Sequence, residues 1–357
     1  MRLDSVFSEA ARNVAARTSR PVVSLILFIA LIGGLALFDV TAINGVLAKN
    51  AAFTSSGAST TTLTATGQVG GMACDNLANA PRVRAAGAVA DTQPLVFSSL
   101  PSSPVPTKRA SPGFLALLPH EVDTSQTGIF VSHDLAVTLS VTTGDSVDTK
   151  NGPVRVEGVY DYPDDGRAPG LGYAAIFIEP VTASTMFDAC WMDAPYPAED
   201  TRSLIWTSVE TIGQAAKPTL GQLNSTMGVS FDAISAFNSR PSESFPWVAL
   251  LLGSVVGFVP VRFRRLELAS ALHSRIPKAG LTLQVMLENL FWLIPAVLVV
   301  SGASLFLSQT ALESDFISIA SAGFRIVGLG SIGVLLGSIV GVLVTRERDL
   351  FKYFKER

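Results

Sequence analysis

The chain has 357 residues, 48% hydrophobic and only 15% Asp, Glu, Lys or Arg, against about 25% charged in an ordinary soluble chain. This shortage of charge, with a mean hydropathy of +0.41, argues against a wholly soluble protein and against a disordered one. The net charge of -3 gives no hint of nucleic acid, and two cysteines are too few for a disulfide framework or a zinc cluster.

At the N-terminus, Val6, Phe7, Ala10, Val14 and Ala15 recur at helical spacing among Arg2, Arg12, Arg17 and Arg20, which predicts an amphipathic helix over 1–20. The uncharged run Pro21 to Phe38 (PVVSLILFIALIGGLALF) predicts a first transmembrane helix over 21–43, since about 17–25 apolar residues cross the hydrocarbon core. Val46-Leu47-Ala48 resembles a signal-peptide cleavage site. Against cleavage, the charged leader is long and the apolar run exceeds the roughly 7–15 residues of a signal core.

Residues 44–244 are too many for a loop and suit a compact extracytoplasmic domain. SSGASTTTLTATG (55–67) predicts a strand, and SLPSSPVPTKRASPG (99–113) a Pro/Ser-rich surface loop. Residues 128–162 read as a strand, a short helix with Ser132 as its N-cap, and a hairpin turning at Asn151-Gly152. YAAIFIEPV (173–181) and SLIWTSVE (203–210) predict two more strands, which makes the domain α+β. Cys74 and Cys190 both fall here. An oxidising exterior favours a structural disulfide between them, the alternative being two unrelated small core residues.

Catalytic and metal-binding patterns are weak. The chain lacks a G-x-x-x-x-G-K-[ST] phosphate loop. His120 with Glu121 and Asp123, and His133 with Asp134, have no zinc-site spacing and read as surface histidines. Asp161, Asp164 and Asp165 lack the distal Glu of a calcium-binding EF-hand and read as a solvated turn. No catalytic residue and no metal ligand is therefore expected.

The second predicted span is 245–261, followed by a patterned loop over 262–280. Leu268, Leu272 and Ile276 recur every four residues as one stripe of a short helix. Arg264, Arg265 and His273 fall on its other faces, and Pro277 ends or bends it. Such an element either lies on an anionic leaflet or docks a cytoplasmic protein. The third span, 281–307, carries one ionisable residue, Glu288. That carboxylate is either a coupling or proton-carrying group, or the partner of a loop arginine at the interface. A short loop over 308–325 leads to the fourth span, 326–345. Gly330, Gly333, Gly337 and Gly341 there form a small-residue ridge that admits another helix, with the partner left open. Residues 346–357 form a tail.

Lys and Arg set the orientation. Four lie in 1–20, five in the loop after the second span and five in the tail, whereas 44–245 carries 19 acidic and 11 basic residues. Both termini and the loop 262–280 are thus expected on the cytoplasmic side of a multi-pass protein of the cell membrane.

The stretch RFRRLELASALHSRIPKAGLTLQVMLENLF resembles the hallmark of the MacB/FtsX-type (type VII, mechanotransmission) ABC permease family. Arg264 and Arg265 match its basic start, Glu267 its acidic position and Glu288 its span carboxylate. GIFVSHDLAVTLSVTTGDSVDTKNGPVRVEGVY resembles the family's outer-domain pattern at Gly144-Asp145 and Val156 to Val159. One departure stands out: the family commonly has a glycine after the alanine–leucine pair, where this chain has His273. The resemblance implies a non-catalytic permease with four transmembrane α-helices and a large α+β domain between the first two. It also implies a separate cytoplasmic ATPase dimer that holds ATP and Mg. That ATPase would dock on Arg262, Arg264, Arg265, Glu267, Leu268, Leu272, His273, Arg275, Ile276 and Pro277. A second permease chain, identical or not, follows from the same resemblance, with room for an extracytoplasmic partner. The work expected is export or extraction of a hydrophobic or peptide-like substrate. Control of cell-wall hydrolases by the same machinery, a membrane-anchored ligand sensor and a membrane-anchored outer enzyme are the alternatives.

Overall fold

A computed structural model describes residues 8–9, 12–13, 20–118, 128–195, 199–210, 217–309 and 313–347. The chain divides into two compact units, Met1–Ala48 with Ile234–Arg357, and Lys49–Ala233.

The first unit is helical. Residues 8–9 and 12–13 are helical, whereas Val6, Phe7, Ala10, Val14 and Ala15 lie outside the described residues. Helix α1 (Pro21–Ser55) opens with a proline at its first position, where a missing N–H costs nothing, and contains one π turn at Ile29–Gly33. It runs well past the expected end at residue 43 because Leu47, Ala48, Lys49, Ala51 and Ala52 are strong helix formers. Helices α6 (Phe245–Phe263), α7 (Arg265–His273), α8 (Lys278–Ser308) and α9 (Glu313–Val344) follow the inserted domain. Among the described residues, four helical stretches are long and apolar enough to cross a membrane: Pro21–Ser55, Pro241–Phe263, Lys278–Ser308 and Phe316–Val344. Residues 313–325, expected within a loop over 308–325, are instead the first part of α9. Glu313, Asp315 and Arg325 ended the uncharged run, but charge limits the apolar window and does not end a helix.

Backbone contact between α6 and α9 organises this unit. A side chain built on Gly337 would come within 1.9 Å of the Ser254 carbonyl oxygen, and one on Gly257 within 2.0 Å of that of Val334. Gly253 faces the Gly330 carbonyl and Gly333 the Leu250 carbonyl equally closely, so neither helix has room for a methyl group. The glycine ridge is therefore spent inside this chain. Gly341 continues it against Val261, while Gly330 also meets Ile32 of α1. A polar chain adds to the packing: Trp292 Nε1 donates to Asn289 (3.2 Å), Asn289 to Ser338 (2.7 Å), and Ser338 to the Gly257 carbonyl (3.1 Å).

The second unit is a mixed sheet domain. Its strands are β1 (Thr60–Gly70), β2 (Ala85–Leu95), β3 (Val105–Ala110), β4 (Ile129–Ser132), β5 (Ser146–Thr149), β6 (Gly152–Tyr160), β7 (Ala175–Ile178), β8 (Met186–Asp193) and β9 (Thr219–Gln222). Their order is β5-β6-β4-β7-β3-β2-β8-β1-β9, with β3/β7 and β4/β6 parallel and the other pairs antiparallel. Short helices α2 (Gly71–Asn76), α3 (His133–Leu139) and α4 (Glu199–Ser203) belong to this unit, and α5 (Ala233–Asn238) starts at its last residue and continues into the helical unit. One core gathers Leu63, Val69, Phe187, Met192 and Ile205 around β1, β2 and β8; another gathers Ile129, Val131, Leu135 and Val156 around β4 and β6.

Several local readings need correcting. The Pro/Ser-rich 99–113 contains β3, whose Val105 and Thr107 are buried. Proline content hid it: the β2/β3 register shifts between Thr92 and Leu95, opposite Pro106, which has no N–H to give. Residues 204–208, expected as a strand, form a 3₁₀ turn. The strand expected at 55 begins at Thr60. The hairpin turn falls on Lys150-Asn151, and Gly152 (φ 115°) starts the return strand. Ser132 occupies the N-cap position of α3, but its hydroxyl accepts the Ala174 N–H (3.2 Å) and caps nothing.

Candidate functional site

The short loop between α6 and α8 carries most of the sequence-derived site residues. Arg264 ends α6, and its side chain is only 11% exposed. It grips Glu267 through two hydrogen bonds, Nε to Oε2 at 3.0 Å and Nη2 to Oε1 at 2.8 Å, a fork-to-fork pairing. Its remaining nitrogen, Nη1, donates to Glu288 on α8. Glu288 is 3% exposed and also accepts from Asn13 (2.7 Å) and Gln284 (3.3 Å). Burial works against the Arg264 charge, but the Glu267 hydrogen bonds and the nearby Glu288 charge outweigh it and raise its pKa above the ordinary value. The guanidinium is thus a permanent charge inside a tight acidic cage. Of the two sequence readings of Glu288, the geometry is that of a carboxylate paired with a loop arginine.

The helix α7 turns its apolar stripe inward. Leu268 is buried, and Leu272 and Ile276 pack with it against Val261, Leu281, Val285 and Val342. Glu267, His273, Arg275 and Pro277 are exposed, while Arg262 and Arg265 are half-buried. His273 Nδ1 meets Glu347 at 2.9 Å, and Lys278 donates to the Leu343 carbonyl at 3.1 Å, so the loop is tied to the end of α9. The departure at His273 is also explained. The helix closes two residues later, with Arg275 in the left-handed region (φ 64°). Ile276 N–H bonds the Ala271 carbonyl and Arg275 N–H that of Leu272, the Schellman pattern of a helix stop. His273 remains helical and needs no glycine.

One ion pair of this unit was not singled out from the sequence. Arg240, just before α6, donates from Nε to Asp39 of α1 at 3.0 Å, with side-chain exposures of 11% and 3%. The Arg240 guanidinium also lies 4.0 Å from the centre of the Phe237 ring. The available signal was positional: Asp39 is the first charge after the first apolar run, and Arg240 the last basic residue before the second.

In the inserted domain, Cys74 and Cys190 are joined by a disulfide, with Cα atoms 5.8 Å apart. His133 Nδ1 approaches Asp161 at 3.9 Å with both side chains largely exposed. Asp165 binds Arg167 (2.7 Å), which draws its pKa down, while burial pushes Tyr162 up to about 12. Among the described residues no group of three His, Cys, Asp or Glu could hold a metal ion. His120, Glu121 and Asp123 lie outside the described residues.

Fold and site together define a class: among the described residues, four helices long and apolar enough to cross a membrane, a mixed-sheet domain inserted after the first of them, and a short clamped helix between the second and third. No protein-family model matches the chain, and no curated protein matches it. Among solved structures it is similar to the periplasmic region of MacB from Actinobacillus actinomycetemcomitans, with 9% identity over 46% of this chain and 89% of that one, at a TM-score of 0.33. It is similar to a domain described as part of a permease from Porphyromonas gingivalis (13%, 47% and 92%, TM-score 0.34). A third likeness is to the extracellular domain of the noncanonic ABC-type transporter YknZ from Gram-positive bacteria (14%, 41% and 88%, TM-score 0.30). These are likenesses of fold over less than half of this chain.

Proposed function

We propose that this chain is the permease subunit of a MacB/FtsX-type ABC complex, lying in the cell membrane with both termini and the α6–α8 loop on the cytoplasmic side. A separate ATPase dimer, which holds the ATP and Mg, docks on α7, and its closure moves α7 and the inserted domain. A pair of permease chains matches the two-fold ATPase. The work delivered is export or extraction of a hydrophobic or peptide-like substrate.

The observation that carries this reading is the construction of α7. A merely membrane-lying helix would present Leu268, Leu272 and Ile276 to lipid. Here that stripe is packed on the spans, Arg264 is locked to Glu288, and Glu267, His273, Arg275 and Pro277 are left outside. A rigidly mounted short helix with a charged outer face suits a load-bearing contact with a soluble protein.

The test is co-expression with the ABC ATPase encoded beside this chain, followed by pull-down and ATPase assay in nanodiscs. The ATPase should co-purify. Arg275→Glu combined with His273→Glu should abolish its association or its stimulation while membrane insertion, read by protease protection, is unchanged. Unchanged ATPase activity in that variant would sink the docking assignment, and failure to co-purify any ATPase would sink the permease reading.

A further inference from the structure

The inserted domain contains a cavity of about 200 Å³ beside the edge strand β9, and no part of the reading above uses it. Its walls include Phe53, Ala58, Ala194, Leu220 and Val229. Phe53 is 2% exposed and is held by the Phe231 ring, with centroids 6.3 Å apart. The lining is thus apolar over most of its extent and fixed on at least one side.

The polar groups around it differ in what they have left to offer. The Ser59 hydroxyl is spent on Asp193, at 2.5 Å. Gln222 gives its amide hydrogens to the carbonyls of Ala58 (2.7 Å) and Gly228 (2.9 Å). Arg202 is different: its guanidinium makes one long hydrogen bond, to the Val229 carbonyl at 3.3 Å, and has no carboxylate partner among the described residues. Elsewhere in the domain, Arg84, Arg109, Arg155 and Arg167 each meet an acidic side chain. A guanidinium presents five donors in a planar fork that fits a carboxylate. Among the described residues, then, Arg202 brings a charge with no acidic partner, and with most of its donors unused, to the wall of an apolar hollow.

We propose that this cavity binds a small amphipathic anion, with an aryl or short alkyl body in the hollow and a carboxylate on Arg202. The volume sets the size: an apolar cavity of about 150 Å³ takes benzene, so this one takes a body with its carboxylate of about ten heavy atoms. The proposal stands apart from the permease reading and does not need an ATPase.

The test uses the full chain in lipid nanodiscs, with empty nanodiscs subtracted. The probe is 4-fluorobenzoate, followed by ¹⁹F NMR, with octanoate as competitor and fluorobenzene as the neutral analogue. Saturable binding of 4-fluorobenzoate, displaced by octanoate, is expected. Arg202→Gln should weaken 4-fluorobenzoate by about tenfold, the loss of about 1.4 kcal/mol of charge-assisted hydrogen bonding, while leaving fluorobenzene unchanged. Leu220→Trp, at a position that is 43% exposed and so tolerant of size, should block both probes by filling the opening. Equal affinity of 4-fluorobenzoate for the parent and the Arg202→Gln chain would overturn the proposal. So would unimpaired binding to Leu220→Trp, or the absence of saturable binding by either anion.

Discussion

The spans and the inserted domain are cohesive for different reasons. In the helical unit, α6 and α9 meet backbone to backbone through Gly253, Gly257, Gly333 and Gly337. Two buried ion pairs fasten opposite ends of α6, Asp39–Arg240 before it and Arg264–Glu288 after it. In the domain, a disulfide ties β8 to α2, a nine-stranded order carries the backbone hydrogen bonding, and large side chains such as Phe114, Phe130, Phe187 and Tyr160 fill the interior. The difference follows from the surroundings. Apolar burial supplies little force between helices in lipid, so close packing and a few polar pairs decide which helix faces which. In water, burial itself supplies the force, and a covalent tie trims the unfolded ensemble.

Four predictions press on this contrast, from the largest expected effect downward. Glu288→Ala takes from Arg264 its α8 partner and from Asn13 and Gln284 their acceptor, and although Glu267 still holds Arg264 the combined loss is about 3–5 kcal/mol. Denaturant unfolding of the detergent-solubilised chain should show that loss. The double variant Arg264→Met/Glu288→Leu should recover the part due to the ion pair, because two apolar groups need no partner, while Asn13 and Gln284 stay without their acceptor. Full stability in Glu288→Ala alone would mean that the pair does not hold α6 to α8.

Removing the tie of the other unit comes next. Cys74→Ala/Cys190→Ala should cost about 2–4 kcal/mol, given a sequence separation of 116 residues. The loss should appear as faster proteolysis within 49–233, while cleavage of the helical unit stays as before. Equal sensitisation of both units would break the contrast.

The glycine contact is third. Gly337→Ala places a methyl group where the Ser254 carbonyl already sits and should cost about 1–3 kcal/mol through forced separation of α6 and α9. Cysteines placed on those two helices should then cross-link more slowly. Gly302→Ala, where a methyl group meets nothing within 4 Å, is the matched control and should leave the rate unchanged.

The smallest effect concerns a device shared by both units. Ser140 ends α3 and Arg275 ends α7, each in the left-handed region, at φ 51° and 64°. Both carry the same 6→1 closure, from Val141 to Ala136 and from Ile276 to Ala271. Ser140→Gly and Arg275→Gly should each gain about 1 kcal/mol by relieving the Cβ clash. A thermal shift of the same sign in both variants checks this.

Much of the helical unit was legible because a span is written in consecutive residues. PVVSLILFIALIGGLALF needs no partner to declare itself, and Leu268, Leu272 and Ile276 declare one face of a short helix. The domain was legible where a signal was local, as at the hairpin ending in Gly152 and at α3. It was hidden where a neighbour overrode composition. Strand β3 exists because β2 and β7 hold it from both sides, despite its proline. Nothing local in SLIWTSVE says that its middle turns as a 3₁₀ helix.

By itself, then, the sequence determined the four apolar stretches, the large insertion after the first, and the inventory of special residues: the glycine ridge, Glu288, the loop arginines and two cysteines. These depend on the run or spacing of neighbouring residues, and the cost of exposing polar backbone or charge to lipid fixes their meaning. Only the tertiary structure decided how they are paired. Arg264 reaches Glu288 across 24 residues, Arg240 reaches Asp39 across 201, and Ser338 reaches Gly257 across 81. A buried charge or a bare glycine must find some partner, but which one depends on the helices that pack together, and spacing along a single helix does not encode that choice.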